Sequence, residues 1–289
     1  MSASTSRVTG VPGTGGLRAV PLRLWLCLAV LAVLACCALL PNALAPYDPN
    51  AQDLGNILDS PSSAHWLGTD DVGRDVLSRL IAGTRTSLAA GFIAVAVSVL
   101  IGLPVGIVAG YFGGWVDAVL MRGVDAVLCF PPLILALGVA AAAGPGLVNS
   151  MAAVGIVLSP SLARLIRAQV LAVKERPYVE VARSFSCGPF RIVFRHILPN
   201  AMQPVLVQAA IFLGVALIAE AILSFLGLGV QPPAASWGSM LSRAFAFMPQ
   251  APRLMFPPGI AIVVTVLVFN MISDLAQERF DPRARDRRA

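Results

Sequence analysis

The sequence predicts an all-α, polytopic membrane protein with six transmembrane helices and both termini on the same, cytoplasmic side. Three observations predict it. Hydrophobic residues fill 57% of the 289 positions and charged residues only 12%, whereas a soluble globule uses about 25% charged residues to cover itself. Mean hydropathy is +0.80. The apolar residues gather in runs close to the roughly 20 residues that cross about 30 Å of hydrocarbon, and Lys and Arg concentrate in alternate connections between those runs.

Residues 1–22, with Gly10, Pro12, Gly13, Gly15 and Gly16 among Ser and Thr, read as a flexible cytoplasmic tail with no core to join. A first transmembrane helix is expected over 23–47, because no charge occurs from Leu24 to Tyr47. Ala43-Leu44-Ala45 imitates a signal-peptidase site. The apolar stretch is longer than a signal peptide's usual core of about 7 to 15 residues, so an uncleaved helix is the reading adopted.

Residues 48–85 form a hydrophilic extracytoplasmic segment with Asp48, Asp53, Asp59, Asp70, Asp71 and Asp75, ending in an amphipathic helix. Val76, Leu77, Leu80 and Ile81 make its apolar stripe, and Asp75 and Arg79 stand at the i, i+4 spacing of an exposed ion pair.

Residues 86–276 hold the remaining spans, expected at Ser87–Ala109, Asp117–Ala143, Leu147–Ile166, Pro204–Gly227 and Leu254–Ser273. Gly144-Pro145-Gly146 divides an uncharged stretch from Ala126 to Ala163 that is too long for one crossing. Pro131, within Cys129-Phe130-Pro131-Pro132, is expected to kink the third span, since proline lacks a backbone donor and clashes with the preceding turn. Near that span's inner end, Arg122 and Asp125 are spaced to pair, beside Asp117. Residues 277–289 are a basic cytoplasmic tail.

Orientation follows from counting basic residues. With the N-terminus inside, sixteen Lys and Arg lie on the cytoplasmic side against five outside, at Arg74, Arg79, Arg85, Arg243 and Arg253. Basic residues resist translocation, so the imbalance sets the topology. The same bias accounts for the net charge of +6 without nucleic acid.

Several chemistries are excluded. The five cysteines form no paired framework and no CxxC, and His65 and His196 stand far apart, so neither disulfides nor a metal centre is expected. A nucleotide-binding loop needs G-x-x-x-x-G-K-[ST], and the single lysine, Lys174, has no glycine loop before it. No hydrolase elbow or carboxylate pair has an active-site setting. The chain is therefore not expected to be an enzyme.

The connection at 172–200 is the most informative. Pro177 and Glu180 are helix-start residues, and Tyr178, Val181, Ala182 and Phe185 fall on one helical face. After Gly188-Pro189, a second short helix places Phe190, Val193, Phe194 and Ile197 on one face until Pro199 stops it. This amphipathic hairpin can lie in the headgroups with its arginines on anionic lipid, or seat a protein partner. Helix-break-helix patterns also occur in DNA-binding modules, but tethering between two spans argues against that.

Here the residues carry a resemblance. Tyr178-Val179-Glu180-Val181-Ala182-Arg183, followed by Arg191-Ile192-Val193-Phe194-Arg195-His196-Ile197-Leu198-Pro199-Asn200, resembles the EAA loop of ABC importer permeases, with Val181 in place of the usual Ala and Ser186 where the family commonly has Gly. His65-Trp66-Leu67-Gly68-Thr69-Asp70-Asp71-Val72-Gly73-Arg74-Asp75 is similar to the segment after the first span in C-type permeases of the oligopeptide, dipeptide and nickel branch. Glu220 to Pro233, Ser236-Trp237-Gly238, Phe269-Asn270 and Asp281-Pro282-Arg283 agree with the same branch in the same order.

The resemblance implies the MetI-like fold of type I ABC importers in a bacterial inner membrane. It further implies a second permease, two cytoplasmic ATPases that bind ATP and Mg, and an extracytoplasmic substrate-binding protein. Tyr178, Glu180, Val181, Ala182, Arg183, Phe185 and Ser186 are then the expected coupling residues, and no cofactor is expected on this chain. Short peptides are the expected cargo, with nickel or a metal chelate as the alternative; a scaffold or membrane enzyme is a remoter one. The segment 48–85 has two readings, a cap on the bundle or a docking surface for the binding protein. Glu220 interrupts an uncharged stretch from His196 to Ser242, and ionisable groups at membrane depth face a bundle interior or a watery cavity. It is expected either to line the path with Ser224, Phe225 and Pro131, or to bond a neighbouring helix.

Overall fold

The structure is a computed structural model that describes residues 22–280. The tail expected over 1–22 lies outside the described residues except for Leu22, as does Asp281-Pro282-Arg283.

The chain opens with α1 (Leu22–Leu39), whose only buried residue is Cys27, and a single turn, α2 (Pro41–Leu44). An irregular segment leads to α3 (Val76–Phe112), a helix of 37 residues. Next come α4 (Gly114–Leu128), α5 (Pro132–Ala143) and α6 (Leu147–Lys174). The short α7 (Pro177–Ser184) and α8 (Pro189–Arg191) precede α9 (Leu198–Phe225). Finally α10 (Trp237–Ala246) leads through a 3-10 turn, Pro252–Met255, into α11 (Phe256–Phe280).

Among the described residues, five helical stretches are long and apolar enough to cross a membrane, and a sixth crossing exists if the bent pair α4–α5 counts as one. The expected first span is shorter than 23–47, because the helix ends at Leu39 before Pro41. The third departs more from expectation: rather than a kinked rod, α4 and α5 meet at 91°. Pro131 and Pro132 are adjacent, and two missing donors leave no ladder across the break. Gly144, with φ +86°, and Gly146, with φ +139°, supply the turn between α5 and α6, conformations a side chain resists.

The centre of the bundle is α3 packed along α6 and α9. Ala90, Ala94, Ser98, Gly102, Gly106 and Gly110 recur every fourth position of α3, and all are buried. A Cβ added at Gly102 would approach the Ser159 carbonyl at 2.7 Å, one at Gly106 the Ala163 carbonyl at 2.6 Å, and one at Gly110 the Val170 Cβ at 2.8 Å. On α6, Gly155 makes the reciprocal approach to Ala94. In lipid, helices gain little from burying apolar surface, so close van der Waals contact through small residues holds them together.

The segment 45–75 folds back as a cap on one end of the bundle. Leu58 and Leu67 pack on Val76, Met240 and Leu254. Thr69, fully buried, accepts from the Asp59 N–H at 2.8 Å and donates to the Asn56 carbonyl, and Arg253 donates to the Leu58 carbonyl.

Candidate functional site

At the end of the bundle remote from that cap stands α7. Pro177 occupies its first turn, where a missing N–H does no harm, and Glu180 lies in the first turn and Arg183 in the last, both favourable to the helix dipole. Its fully buried anchor is Val179, which shares a hydrophobic cluster with Val173 of α6 and Ile192, Ile197 and Val205 toward α9; Ala182 is buried beside it. The face expected at Tyr178, Val181, Ala182 and Phe185 is therefore divided. Ala182 turns inward with Val179, while Tyr178, Val181 and Phe185 are exposed, Phe185 by 79%, alongside exposed Glu180 and Arg183.

The helix closes with the Cys187 N–H on the Ala182 carbonyl at 3.2 Å and the Ser186 N–H on the Arg183 carbonyl at 2.9 Å. Ser186 adopts φ +55°. That is the left-handed closing position usually held by glycine, which gives a physical reason for the Gly common in the resembling family.

The second helix of the hairpin is not stopped by Pro199. It runs through a π-helical stretch, Ile192–Ile197, straight into α9, forming one helical unit from Pro189 to Phe225. Pro199 has no N–H to give, the Leu198 N–H reaches back five residues to Val193, and the Asn200 carboxamide donates to the His196 carbonyl at 2.8 Å. One extra residue per turn lets the helix pass its proline without ending.

At the opposite end, Glu220 is 1% exposed. Its Oε1 accepts 2.7 Å bonds from the hydroxyls of Ser224, one turn on, and Ser236, the N-cap of α10. A Cβ at Gly238 would fall 2.6 Å from Oε2, so only glycine fits against the carboxyl there. One of these bonds stays within α9 and the other joins Glu220 to the neighbouring helix α10. Phe225 lies on the other face of α9, half-exposed, edge-on to Phe245 at 5.2 Å. It lines an apolar groove of about 450 Å³ with Ile222, Leu241 and Ile262. Pro131 is exposed at the α4–α5 break and is not part of the Glu220 cluster.

Helix α10 is tied from every side. The buried Trp237 donates its backbone N–H to Ser87 Oγ at 2.9 Å and its indole N–H to the Leu80 carbonyl at 3.1 Å. Arg243 donates to Asp71 of the cap segment at 3.1 Å. The expected Asp75–Arg79 surface pair is not formed, and the separate amphipathic helix is not either. Asp75 is the buried N-cap of α3, accepting from the Ser78 N–H at 2.8 Å and facing His65 at 3.0 Å. Arg79, 3% exposed, reaches the Pro49 carbonyl at 3.0 Å. The apolar stripe from Val76 to Ile81 is simply the first turns of α3.

Nor does Arg122 take Asp125. Asp125 bonds Arg164 at 2.5 Å, and Asp117 bonds Arg167 with both oxygens at 2.5 Å, so two ion pairs join α4 to α6. On the cap, the Asn56 carboxamide and then the Gly55 N–H hold the exposed Asp53 carboxyl below its ordinary range. Among the described residues, no three His, Cys, Asp or Glu side chains converge on a metal position.

Sequence reasoning missed Val179 as the anchor, Ser236 and Gly238 as partners of Glu220, and the Asp71–Arg243 tie. Only one of these left a local signal: Ser236 stands three residues before Ser239, a capping spacing. The glycine ladder of α3, with Gly102, Gly106 and Gly110 four apart, was also legible.

Comparison with known proteins agrees with this architecture. Residues 102–286 match a family described as binding-protein-dependent transport system inner membrane component. The glutathione transport system permease protein GsiD of Pectobacterium atrosepticum is 44% identical over 83% of this chain and 80% of its own. The dipeptide transport system permease protein DppC of Alkalihalophilus pseudofirmus is 42% identical over 79% and 75%. The probable D,D-dipeptide transport system permease protein DdpC of Escherichia coli is 41% identical over 83% and 81%. Among solved structures, an inward-facing MetNI methionine ABC transporter chain superposes with TM-score 0.57 at 20% identity, covering 69% of this chain and 95% of that one. That likeness establishes the shared fold.

Proposed function

This chain belongs to the family of binding-protein-dependent transport system inner membrane components, and from that premise we propose that its cargo is a short peptide and that α7 couples transport to partner ATPases. The protein is a multi-pass inner-membrane permease subunit of an ATP-driven importer. The names of its relatives, which specify glutathione, dipeptides and D,D-dipeptides, support the peptide reading.

A second permease completes the pore, two cytoplasmic ATPases bind ATP and Mg, and an extracytoplasmic binding protein delivers the peptide. The observation that carries the coupling reading is the division of α7 into two faces. Val179 and Ala182 lock it to the bundle, while Tyr178, Val181 and Phe185 stand free with Glu180 and Arg183. Exposed aromatic side chains on a short, anchored helix are the anchors a protein cleft takes. Because the Val179 cluster includes side chains of α6 and α9, movement of α7 with the ATPases displaces both spans together and rocks the pore between inward-open and outward-open states.

The cap segment is proposed as the docking surface for the binding protein. Exposed Leu54, Ile57 and Trp66 beside exposed Asp48, Asp53 and Asp59 support it. Ser224, Phe225 and Pro131 are proposed to border the path, with Glu220 holding the outer end of α9 in register.

The test is purification with co-eluting chains, followed by ATPase and uptake assays with short peptides and with Ni²⁺. Peptide-stimulated hydrolysis that is lost when residues 178–186 are deleted, with the protein still in the membrane, is the expected result. Unchanged uptake after that deletion overturns the coupling role. Stimulation by Ni²⁺ alone overturns the peptide cargo, and turnover by the isolated chain overturns the transporter reading.

A further inference from the structure

An apolar groove of about 330 Å³ runs between the last turns of α3 and the π-helical start of the fifth span. Leu103, Pro104, Ile107 and Val108 form one wall, and Phe190, Val193, Phe194 and Leu198 the other. No charged or polar side chain other than the Tyr111 phenol lines it.

Its dimensions match one leaflet. The two walls run antiparallel, so Leu103 and Leu198 lie at the deep end, and Phe112 and Phe190 at the mouth beside α7. From Leu103 to Phe112 the rise is about 13 Å at 1.5 Å per residue, close to half of a hydrocarbon core of about 30 Å. The mouth is marked as an interface by Phe112 and Trp115, both widely exposed, since aromatic side chains gather at that depth.

The walls are open, and exposed basic residues adjoin one of them. Phe190 and Phe194 are exposed with their rings parallel at 6.4 Å, an arrangement that presents flat apolar faces along the groove. Arg191 and Arg195 are exposed immediately after each phenylalanine. Lys174 joins them, donating at 2.7 Å to the carbonyl of Tyr111 in the groove wall. Among the described residues, no acidic side chain forms an ion pair with these three.

We propose that this groove binds one acyl chain of an anionic phospholipid of the adjacent leaflet, with Arg191 and Arg195 holding its phosphate. The apolar walls alone would accept any lipid, or a helix of a partner chain; the two exposed arginines next to the wall phenylalanines select a negatively charged headgroup. The site lies beside α7, so its occupant wedges the start of α9 against α3. This inference rests on the groove's own geometry and is independent of which cargo the pore carries.

The experiment uses the assembled transporter in nanodiscs of phosphatidylcholine with phosphatidylglycerol, with retained lipids counted by native mass spectrometry. Wild type is expected to retain phosphatidylglycerol preferentially. At roughly 1 kcal/mol per basic side chain, the Arg191→Gln/Arg195→Gln double variant is expected to lose that preference about thirtyfold. Val108→Trp, which fills the groove from an exposed position, is expected to expel the lipid while leaving both arginines in place. A photo-crosslinking residue at Val108 is expected to label phosphatidylglycerol. Equal retention of both lipids by wild type, retention unchanged in both variants, or crosslinking of position 108 to a partner chain each overturns the proposal.

Discussion

Glu220 accepts a 2.7 Å hydrogen bond from the Ser236 hydroxyl, so one carboxyl group in α9 holds the N-cap of α10. The same oxygen accepts from Ser224, and Gly238 leaves room for the carboxyl, since a Cβ there would fall 2.6 Å from Oε2. A polar group this deep in an apolar bundle is stable only when its partners are present. The cluster is therefore a joint between two helices at the end of the bundle that carries the cap.

Glu220→Ala should destabilise the protein by about 3 kcal/mol, because the buried Ser224 and Ser236 hydroxyls lose their shared acceptor. Glu220→Gln, which keeps an acceptor oxygen, should recover more than half of that. Thermal unfolding of the detergent-solubilised protein measures both. Equal melting of the alanine variant and wild type would show that the joint contributes nothing.

Gly106→Val should separate α3 from α6. Its Cβ would meet the Ala163 carbonyl at 2.6 Å and the Ile166 Cβ at 2.7 Å, contacts that the surrounding helices relieve only by moving apart. Overpacking of this kind costs about 1–3 kcal/mol. Reduced membrane accumulation and a lower melting temperature are expected, whereas Gly123→Val, with open space around its Cβ position, should leave both unchanged.

Ser186→Gly should stabilise the loop after α7. A left-handed residue with a side chain carries a penalty of about 1–2 kcal/mol that glycine avoids, offset in part by glycine's greater unfolded-state freedom. Slower hydrogen exchange at Ser186 and Cys187, whose N–H groups bond back to α7, is the readout. Ser186→Val should act in the opposite direction.

Phe185→Ser and Val181→Asp should weaken retention of the ATPases by about tenfold or more, since truncating an interface anchor commonly costs about 2 kcal/mol. Both side chains are exposed, so melting of the permease itself should not change. Val179→Asp, by contrast, places a charge in the fully buried cluster with Val173 and Ile192 and should abolish folding of this end. Pull-down of ATPase chains combined with thermal melting separates the two effects.

What was legible in the sequence follows from local rules. Spans declare themselves by their apolar length, turns by Gly144-Pro145-Gly146, and α7 by Pro177 and Glu180, because each of these signals acts within a few neighbouring residues. The coupling segment's position and helicity were recoverable in the same way. Its inward face was not: periodicity places Tyr178, Val181, Ala182 and Phe185 together, but only contact with α6 and the π-helical stretch selects Val179 and Ala182 for burial.

Charge pairing failed for a related reason. Asp75 with Arg79, and Arg122 with Asp125, are correctly spaced on a helix, yet each acid has another partner: Asp75 caps its own helix through the Ser78 N–H and faces His65, while Asp125 takes Arg164 of another helix. Likewise the sequence marks Pro131-Pro132 as a break but not its 91° size, which goes with the packing of α5 against α6.

By itself, then, the sequence determined that this chain lives in lipid, how many times it can cross, and where it bends and breaks, since hydropathy and backbone donors are properties of the residues themselves. Tertiary structure alone decided which side chain meets which: Glu220 with Ser236, Asp71 with Arg243, Val179 with the roots of two spans. Those choices depend on helices far apart in sequence approaching closely: the small residues of α3 permit the approach, but no local pattern names the partner.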